Sequence, residues 1–346
     1  MPQRIGIVGT GWVADKHVEA LGKIAEARIA AIAGRNLERA AELAERAERA
    51  PAAAGSAPAR PAVYADWAEM LRRERLDAVF ILLPPHLHGD VEAACAGRVP
   101  AVLVEKPLGR DLATVERALA AFEAAGTFAA SAYMNRCRRS ALRARELFAA
   151  PEDPPVLVEG RWVTPVPPPA WWRDRSLSGG QFVEQCTHLV DLARFIAGEI
   201  VEVAAFAASG FVTDLEGYAT DDAMVVSARF ASGALAQFST GCFPSPGPDE
   251  DAGIGLTIGS RRTRCALSGW GMALRAETSG GGLEIMEPEE DIFEVEDRLF
   301  LAAASGGERS LFPSTYAEGL KTLRVTLAAV ESARTGRTVR IARGAR

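Results

Sequence analysis

The first third of the sequence alternates short apolar runs with segments of helical periodicity, and no other feature constrains the fold as strongly. Residues 4–9 (RIGIVG), 28–34 (RIAAIAG) and 77–85 (DAVFILLPP) have the apolar character of buried strands. Helical segments rich in Ala, Glu and Arg lie between them. Apolar strands that alternate with helices are typical of a parallel sheet with helices on both faces. The sequence therefore predicts an α/β domain built on a doubly wound parallel sheet.

The pattern changes from about residue 156, where strand signals replace this alternation. Runs such as VLVEGRWV, AMVVSARF and ALAQFSTG alternate or adjoin turn signals, which indicates a large, open and mostly antiparallel sheet. One helix interrupts these strands over residues 179–198, and a last helix covers about residues 314–334. We therefore expect a first domain over residues 1–130 and a second, α+β domain over 131–346, with the last helix able to pack back on the first domain.

Composition limits the class of protein. A chain of 346 residues suits two domains, and its net charge of −6 gives no general attraction to nucleic acid or to anionic membranes. No apolar run is long enough to span a bilayer. The five cysteines form no C-x-x-C pair and have no metal-like spacing, which is typical of reduced thiols in a cytoplasm. Because the first strand begins at once and leaves no room for a signal peptide, we expect a cytoplasmic protein.

A glycine motif follows the first strand directly. Gly9-x-Gly11-x-x-Ala14 stands between this strand and a helix, so Gly9 permits a tight turn and Gly11 lets the backbone approach a pyrophosphate. The N-terminus of the helix then offers free N–H groups to the phosphates. We expect the loop to bind a dinucleotide through Gly9, Thr10, Gly11, Trp12 and Val13. An ordinary glycine-rich turn is the alternative interpretation.

The end of the second strand lacks a carboxylate. An acid at this point commonly accepts the 2′-hydroxyl of NAD, but the sequence has Gly34, Arg35 and Asn36, and the first acid is Glu38. Arg35 is able to pair with a 2′-phosphate, which favours NADP(H) over NAD(H). The alternative is that Arg35 is simply a solvated residue at the start of the next helix.

A lysine stands at the end of a later buried strand, in VLVEKPLGRDL. The carboxyl edge of an open α/β sheet is where ligands bind, and Glu105, Lys106 and Pro107 occupy it. An ammonium group there can stabilise negative charge that develops on a substrate oxygen, and can take part in proton transfer. In isolation, a structural pair between Lys106 and Glu105 would be the default interpretation.

The helix predicted over GGQFVEQCTHLVDLARFIAG carries two different stripes. Phe182, Cys186, Leu189, Ala193 and Ile196 form an apolar stripe, in which the cysteine packs and is not a nucleophile. On the opposite side stand Glu184, His188 and Asp191, at i, i+4 and i+7. This polar stripe is either the solvated face of a half-exposed helix or the working face of an active site. An imidazole suits proton transfer, since its ordinary pKa is about 6.5.

Taken together, GIVGTG, ILLPPHLHGDV, VEKPLG, SGGQFVEQCTHLVDLARFIAG and the final YAEGLKTLRVTLAAVESARTGRTVRI resemble the Gfo/Idh/MocA oxidoreductase family over nearly the whole chain. The resemblance implies an N-terminal Rossmann domain that binds NAD(P) and a C-terminal α/β domain with an open sheet. It also implies a substrate held between the domains and a homodimer or homotetramer formed through that sheet.

The resemblance assigns roles to individual residues. Lys106 corresponds to the family's catalytic lysine, His188 to the histidine of its D-x-x-x-H helix, and Glu184 to the acid of that motif. It implies that the cofactor contacts Leu83, Pro84, His88, Glu105, Lys106, Trp172 and Arg173, in addition to the glycine loop and Arg35. It implies that the substrate contacts Lys106, Tyr133, Arg136, Glu184, His188 and Asp191. The chain departs from the family pattern at Gln181, Glu184 and Cys186, which bears on the identity of the substrate more than on the chemistry.

These residues lead to one main functional hypothesis. We expect an NAD(P)-dependent oxidoreductase, with NADP(H) preferred and no metal, that interconverts an alcohol and a carbonyl on a sugar, polyol or sugar-like substrate. Either Lys106 or His188 transfers the proton. The alternatives are a non-catalytic NAD(P)-binding sensor or regulator on the same fold, and an enzyme for a non-sugar substrate such as a dihydrodiol or a tetrapyrrole.

Overall fold

The computed structural model describes residues 2–49, 60–244, 253–288 and 291–342, and the chain divides into two compact units. The N-terminal unit joins residues 1–137 with residues 290–320, and the C-terminal unit joins residues 138–289 with residues 321–346. Residues 290–320 therefore group with the beginning of the chain, whereas a single division near residue 130 would assign them to the second domain.

The N-terminal unit is built on a six-stranded parallel sheet. Its strands are β1 (Gln3–Val8), β2 (Ala27–Ala33), β3 (Ala62–Tyr64), β4 (Ala78–Ile81), β5 (Ala101–Val104) and β6 (Phe128–Ser131). They lie in the order β3-β2-β1-β4-β5-β6, and every neighbouring pair is parallel. All four residues of β4 and all four of β5 are buried. Since successive side chains point to opposite faces, both faces of the sheet are covered and the predicted doubly wound architecture is confirmed.

The C-terminal unit contains a nine-stranded sheet. Its strands are β7 (Leu157–Val163), β8 (Ile200–Ala208), β9 (Ala223–Phe230), β10 (Leu235–Gly241), β11 (Ile254–Gly259), β12 (Thr263–Ser268), β13 (Ala273–Thr278), β14 (Leu283–Met286) and β15 (Val339–Arg340). Their order is β14-β13-β12-β11-β7-β10-β9-β8-β15, and among the described strands of this sheet only the β7–β10 pair is parallel. The expected open, mostly antiparallel sheet is therefore confirmed.

Helices connect the strands of the N-terminal sheet and a last helix follows near the end of the described chain, as predicted, whereas others, such as those over residues 139–147 and 292–304, were not predicted from the sequence. The helices are α1 (Trp12–Leu21), α2 (Leu37–Arg49), α3 (Trp67–Arg73), α4 (Asp90–Cys95), α5 (Leu112–Ala125), α6 (Arg139–Leu147), α7 (Ala170–Arg173), α8 (Arg175–Ser178), α9 (Gln181–Glu184), α10 (Thr187–Ala197), α11 (Ile292–Ala304) and α12 (Tyr316–Thr335). Short 3₁₀ turns cover Pro85–Leu87, Met134–Cys137 and Arg309–Leu311. Within the described residues, none of the helices combines the length and the apolar character that crossing a membrane would require.

One face of the nine-stranded sheet is buried and the other is exposed, as the alternating burial of residues along its strands shows. Strand β9 reads exposed and buried at every second residue from Met224 to Phe230, and β7 and β10 alternate in the same way. The buried side chains form the core of the unit with α10 and with residues of α6 and α12. The other face carries exposed apolar side chains, among them Phe206, Val225 and Leu235.

The expectation of one continuous helix over residues 179–198 is wrong. The segment forms α9 and α10, and the regular helical pattern is interrupted at Gln185 and Cys186. The Cys186 N–H donates to the carbonyl of Gln181, five residues earlier, and the Gln181 side chain donates to the Gly241 carbonyl at 2.6 Å. The Cys186 N–H thus bonds five residues back instead of four, so Glu184 and His188 are not one turn apart on a single helix.

The polar stripe is not a solvated face. His188 and Asp191 are both buried, as are nearly all residues of α10, and Glu184 is partly buried. The five residues of the predicted apolar stripe are buried as expected. The half-exposed alternative is therefore wrong, because both sides of α10 are covered. Burial of polar side chains is costly unless they have partners, so the contacts of these residues define what they do.

Substitution of Phe300 by Ala tests the discontinuous make-up of the N-terminal unit. The Phe300 ring is fully buried against Phe80 of β4 and Phe128 of β6, with centroid distances of 5.4 and 5.9 Å. We expect Phe300→Ala to lower the free energy of unfolding by about 3–5 kcal/mol, measured by urea denaturation. The matched control Phe211→Ala removes a ring that is 77% exposed and should change it by less than about 0.5 kcal/mol. Equal effects of the two substitutions would contradict this assignment of residues 290–320.

Candidate functional site

The glycine loop between β1 and α1 has the geometry that a close ligand requires. Gly9 has a φ of +114°, and a Cβ atom on it would lie 2.1 Å from the carbonyl oxygen of Leu82. Only glycine fits this position. A Cβ on Gly11 would meet no atom within 4 Å, so the backbone there borders open space. The loop is therefore tight on the side of the sheet and open on the other side.

Helix α1 begins at this open side without a capping side chain. Gly11 is its N-cap, and glycine has no side chain that could accept a hydrogen bond from the first turn. Trp12 is 61% exposed beside it. Uncapped N–H groups and the helix dipole together favour an anion, so the loop fits the pyrophosphate of a dinucleotide.

Arg35 stands next to the glycine loop. A Cβ on Gly34 would lie 2.4 Å from Cγ2 of Thr10, so Thr10 and the end of β2 are in contact. The exposed side chain of Arg35 follows immediately, and within the described ranges it forms no ion pair. Arg39, by contrast, is held by Asp15 and Glu42. Of these two arginines, Arg35 is the one whose exposed guanidinium is available to an anionic ligand.

His88 supports the loop that follows β4. Its Nε2 lies 2.9 Å from the Leu83 carbonyl oxygen, and its Nδ1 lies 2.5 Å from a carboxylate oxygen of Glu92. Burial lowers the pKa of His88, but Glu92 and the Leu83 carbonyl outweigh burial and raise it. Both ring nitrogens are engaged within the protein, so His88 fixes the backbone of Leu83 and Pro84. A direct contact of His88 with a cofactor stays a prediction.

At the end of β5, Glu105 connects Lys106 to a buried charge cluster. One carboxylate oxygen of Glu105 accepts a hydrogen bond from the Lys106 backbone N–H at 2.7 Å, and the other lies 3.9 Å from Nε2 of His17. The Nδ1 atom of His17 lies 2.8 Å from Oδ1 of Asp297. His17 belongs to α1 and Asp297 to α11, so three segments meet at this point.

His17 is protonated at neutral pH. Burial by itself lowers its pKa, but the carboxylates of Asp297 and Glu105 outweigh burial and raise the pKa to about 10. The ring packs edge-to-face on Phe80 and Phe293, which exclude water from the ion pair. A charged group in such surroundings depends on its carboxylate partners.

Tyr133 and Arg136 follow the end of β6. Both are buried, and the Arg136 backbone N–H donates to the Tyr133 carbonyl at 3.0 Å. The Arg136 guanidinium donates to the Pro313 carbonyl at 3.0 Å and reaches a carboxylate oxygen of Glu318 at 3.4 Å. Arg136 therefore ties the end of β6 to residues 313–318, and its contact with a substrate stays a prediction.

In the C-terminal unit, the indole of Trp172 holds Glu184. Nε1 of Trp172 donates to Oε2 of Glu184 at 2.8 Å, and the indole is buried. The acid and the preceding W-W-R segment thus form one group, with Arg173 next in the chain. This hydrogen bond lies within the C-terminal unit and does not test a contact with a cofactor. The predicted cofactor contacts of Trp172 and Arg173 therefore stay predictions.

His188 lies among aromatic rings. Its imidazole stacks on Trp162 of β7, with centroids 5.5 Å apart and planes 19° apart, and Trp270 lies edge-on at 6.5 Å. Stacking on a buried indole fixes the plane of the imidazole ring. A fixed ring is what directional proton transfer requires.

Asp191 is part of a second buried network. Its Oδ1 accepts a hydrogen bond from the Thr322 hydroxyl at 2.7 Å and lies 3.8 Å from Nη1 of Arg194. Arg194 also donates to Thr322 at 2.7 Å and pairs with Glu199. Asp191 therefore joins α10 to α12, and its predicted contact with a substrate is untested.

The predicted site residues are divided between the two units. The N-terminal unit holds the glycine loop, Arg35, Leu83 to His88, Glu105, Lys106, Tyr133 and Arg136. The C-terminal unit holds Trp172, Arg173, Glu184, His188 and Asp191. The sequence analysis missed His17, Asp297 and Trp162. A histidine on the apolar side of α1 and an acid within the apolar run of α11 were the available signals for the first two.

Family models match both parts of the chain. Residues 3–133 match the model described as "Oxidoreductase family, NAD-binding Rossmann fold", and residues 154–260 match the "GFO/IDH/MocA C-terminal domain". These ranges contain β1 to β6 and β7 to β11, respectively.

Individual relatives agree with these matches. The chain is 31% identical over 236 residues to a myo-inositol 2-dehydrogenase of Thermotoga maritima, which covers 67% of this chain and 66% of that protein. It is 30% identical over 237 residues to D-xylose 1-dehydrogenase (NADP(+)) 2 of Haloferax volcanii, with 67% of each chain covered. The chain thus spans about two thirds of these relatives. A solved levoglucosan dehydrogenase in complex with NADH has the same fold, with a TM-score of 0.83, 19% identity and coverage of 99% and 100%.

The raised pKa of His17 makes stability depend on pH. The folded pKa of about 10 is above the ordinary value of 6.5, so the ion pair contributes fully below pH 6.5 and its contribution is lost as the pH rises to about 10. We expect the difference in unfolding free energy between the wild type and His17→Gln to shrink steadily between pH 6.5 and 10. Urea denaturation at several pH values measures it. Parallel curves would show that the imidazole of the folded protein is not charged in this range.

Proposed function

Because the chain belongs to the GFO/IDH/MocA oxidoreductase family, we propose that it is a nicotinamide-dependent dehydrogenase. It transfers hydride between NAD(P) and a CH–OH carbon of a sugar, polyol or sugar-like substrate. The relatives named above act on inositol, xylose and levoglucosan, which supports this class of substrate.

One observation carries the proposal. The parallel strands β1, β2, β4 and β5 place the glycine loop, Arg35, the Leu83 loop and Lys106 at the same edge of one sheet. This is the edge at which open α/β sheets bind dinucleotides. The open space at Gly11 and the uncapped start of α1 fit a pyrophosphate there. When bound, the nicotinamide supplies or accepts the hydride.

Lys106 and His188 handle the reacting oxygen in this proposal. The ammonium of Lys106 polarises the substrate oxygen, and His188 takes the hydroxyl proton in oxidation or returns it in reduction. The stack on Trp162 supports this role, because it holds the imidazole in one plane. Glu184, whose carboxylate is oriented by Trp172, binds a neighbouring hydroxyl, and Tyr133, Arg136 and Asp191 complete the substrate site.

NADP(H) is the proposed preferred cofactor. Relatives use both forms, since the xylose enzyme is named for NADP(+) and the levoglucosan enzyme holds NADH. The choice for this chain therefore rests on its own residues. Arg35 is exposed beside Thr10 of the glycine loop, and Arg35 and Asn36 stand where an acid would exclude a 2′-phosphate.

We also propose a cytoplasmic homodimer or homotetramer formed through the nine-stranded sheet. The exposed face of this sheet carries Phe206, which is 81% exposed, directly opposite Val225 on β9. Leu235 and Leu157 face each other on β10 and β7 of the same sheet. Apolar side chains on one face are typical of an interface between subunits. The five free, buried cysteines support a reducing compartment.

Substitution of Lys106 tests the enzyme assignment. We expect Lys106→Met to retain NADPH binding and to lower kcat on the best sugar or polyol by at least about 100-fold, because the charge on the reacting oxygen is no longer balanced. The measurement combines fluorescence titration of NADPH with steady-state assays over a panel of polyols, sugars, dihydrodiols and tetrapyrroles. Lys321→Met removes an exposed lysine of the C-terminal unit and is the matched control.

The panel separates the proposal from its alternatives. Undiminished turnover in Lys106→Met would contradict the role of this lysine. Tight NADPH binding with no turnover on any compound would favour a sensor, and turnover only on dihydrodiols or tetrapyrroles would favour the non-sugar enzyme.

Substitution of Arg35 tests the cofactor preference. We expect Arg35→Ala to weaken NADPH binding by about 10- to 100-fold, the effect of losing charged hydrogen bonds to a phosphate, and to leave NADH binding nearly unchanged. Arg28→Ala is the control, since it removes an exposed arginine from the opposite end of the same strand. Equal losses for both cofactors, or none for NADPH, would contradict the assignment.

A further inference from the structure

A continuous set of contacts runs from α11 to the backbone of Lys106. Asp297 contacts Nδ1 of His17 at 2.8 Å, Nε2 of His17 faces Glu105 at 3.9 Å, and Glu105 accepts the Lys106 N–H at 2.7 Å. Asp297, His17 and Glu105 are all buried. The set joins the helix that starts at the glycine loop to the segment that follows β5 and contains Lys106.

The charge of His17 is what makes this arrangement stable. Two carboxylates buried near each other repel unless a cation lies between them. His17 is that cation, because Asp297 and Glu105 hold its proton against the effect of burial. Burial raises the pKa of Asp297, and the imidazolium of His17 opposes this rise without reversing it. Loss of the imidazolium would leave Glu105 without its counter-charge and free to take up another position.

The cluster is better described as an ion pair than as a metal site. Ligand atoms of His17, Glu296 and Asp297 lie within 4.8 Å of one another, as metal ligands do. The 2.8 Å separation of Nδ1 and Oδ1 is, however, that of an ordinary hydrogen bond between an imidazole and a carboxylate. Phe80 and Phe293 pack on the ring, so the surroundings suit a shielded pair.

We propose that His17 is a positioning residue for the reaction: its charge holds Glu105, and Glu105 holds the backbone of Lys106 at the cofactor edge of the sheet. This inference rests on the proposed function for its catalytic consequence. The positional part stands on the contacts alone. Through α1, the same residue also keeps the glycine loop in register with Lys106, so both ends of the dinucleotide site depend on one buried charge.

The positional part is tested without any turnover. The chain has four lysines, Lys16, Lys23, Lys106 and Lys321, so protein labelled with ¹⁵N-lysine gives four backbone amide signals. Loss of one signal in Lys106→Arg identifies that of Lys106. We expect His17→Gln and Glu105→Gln each to move the Lys106 signal and to leave that of Lys321 in place. Val18→Ala, a cavity in the same helix outside the cluster, should leave the Lys106 signal unchanged.

The catalytic part is tested by a double-mutant cycle on kcat. We expect His17→Gln to lower kcat by about 10- to 100-fold, with a smaller change in the KM for substrate. In the Glu105→Gln background, the same substitution should cost less than about twofold, because His17 acts through Glu105. Val18→Ala should keep the wild-type kcat at a temperature well below its Tm, although it also destabilises α1.

The outcomes separate this inference from the proposed function. An unmoved Lys106 signal in a folded His17→Gln or Glu105→Gln protein would overturn the inference, whatever the activity. Additive losses in kcat would overturn it as well, since they would show that His17 and Glu105 act independently. A moved Lys106 signal in a protein without turnover on any substrate would support the positional role and contradict the proposed function.

Discussion

The common direction of the six strands in the N-terminal sheet is the constraint on which the rest of this unit depends. Because the strands are parallel, residues that are far apart in the sequence arrive at one edge. Gly9, Arg35, Leu83 and Lys106 each follow a different strand. A parallel sheet also requires helices as connections, and α1 gives the glycine loop its uncapped N-terminus. Fold and binding edge therefore have one physical origin.

Local physics explains why much of this was predictable from the sequence. Apolar residues recur with different spacings in buried strands and in amphipathic helices, and both spacings are evident in the sequence. The role of Gly9 also follows from its own backbone, since its positive φ and its contact with the Leu82 carbonyl exclude any side chain. Lys106 could be predicted as a site residue because the buried strand before it was evident from its apolar sequence.

What the sequence could not indicate depends on partners that are distant in the chain. The start of α9 is anchored by a hydrogen bond from the Gln181 side chain to the Gly241 carbonyl, sixty positions later. His17 and Asp297 are separated by 280 positions, and no periodicity relates them. No periodicity relates His188 and Trp162 either, since one lies on α10 and the other on β7. Helical spacing predicted Glu184 and His188 in one column, but the two residues lie on different helices in the structure.

The discontinuity of the N-terminal unit has a consequence for synthesis. Residues 290–320 supply Phe300, Phe312 and Asp297 to this unit, so its core stays incomplete until this later segment has been translated. Chains emerge from the ribosome with the N-terminus first, and domains usually fold in that order. Here the N-terminal unit cannot complete its fold first, because it includes residues 290–320. Until α11 has been translated, Phe80 of β4 lacks the ring of Phe300 that packs against it, so the N-terminal unit completes its core late in synthesis.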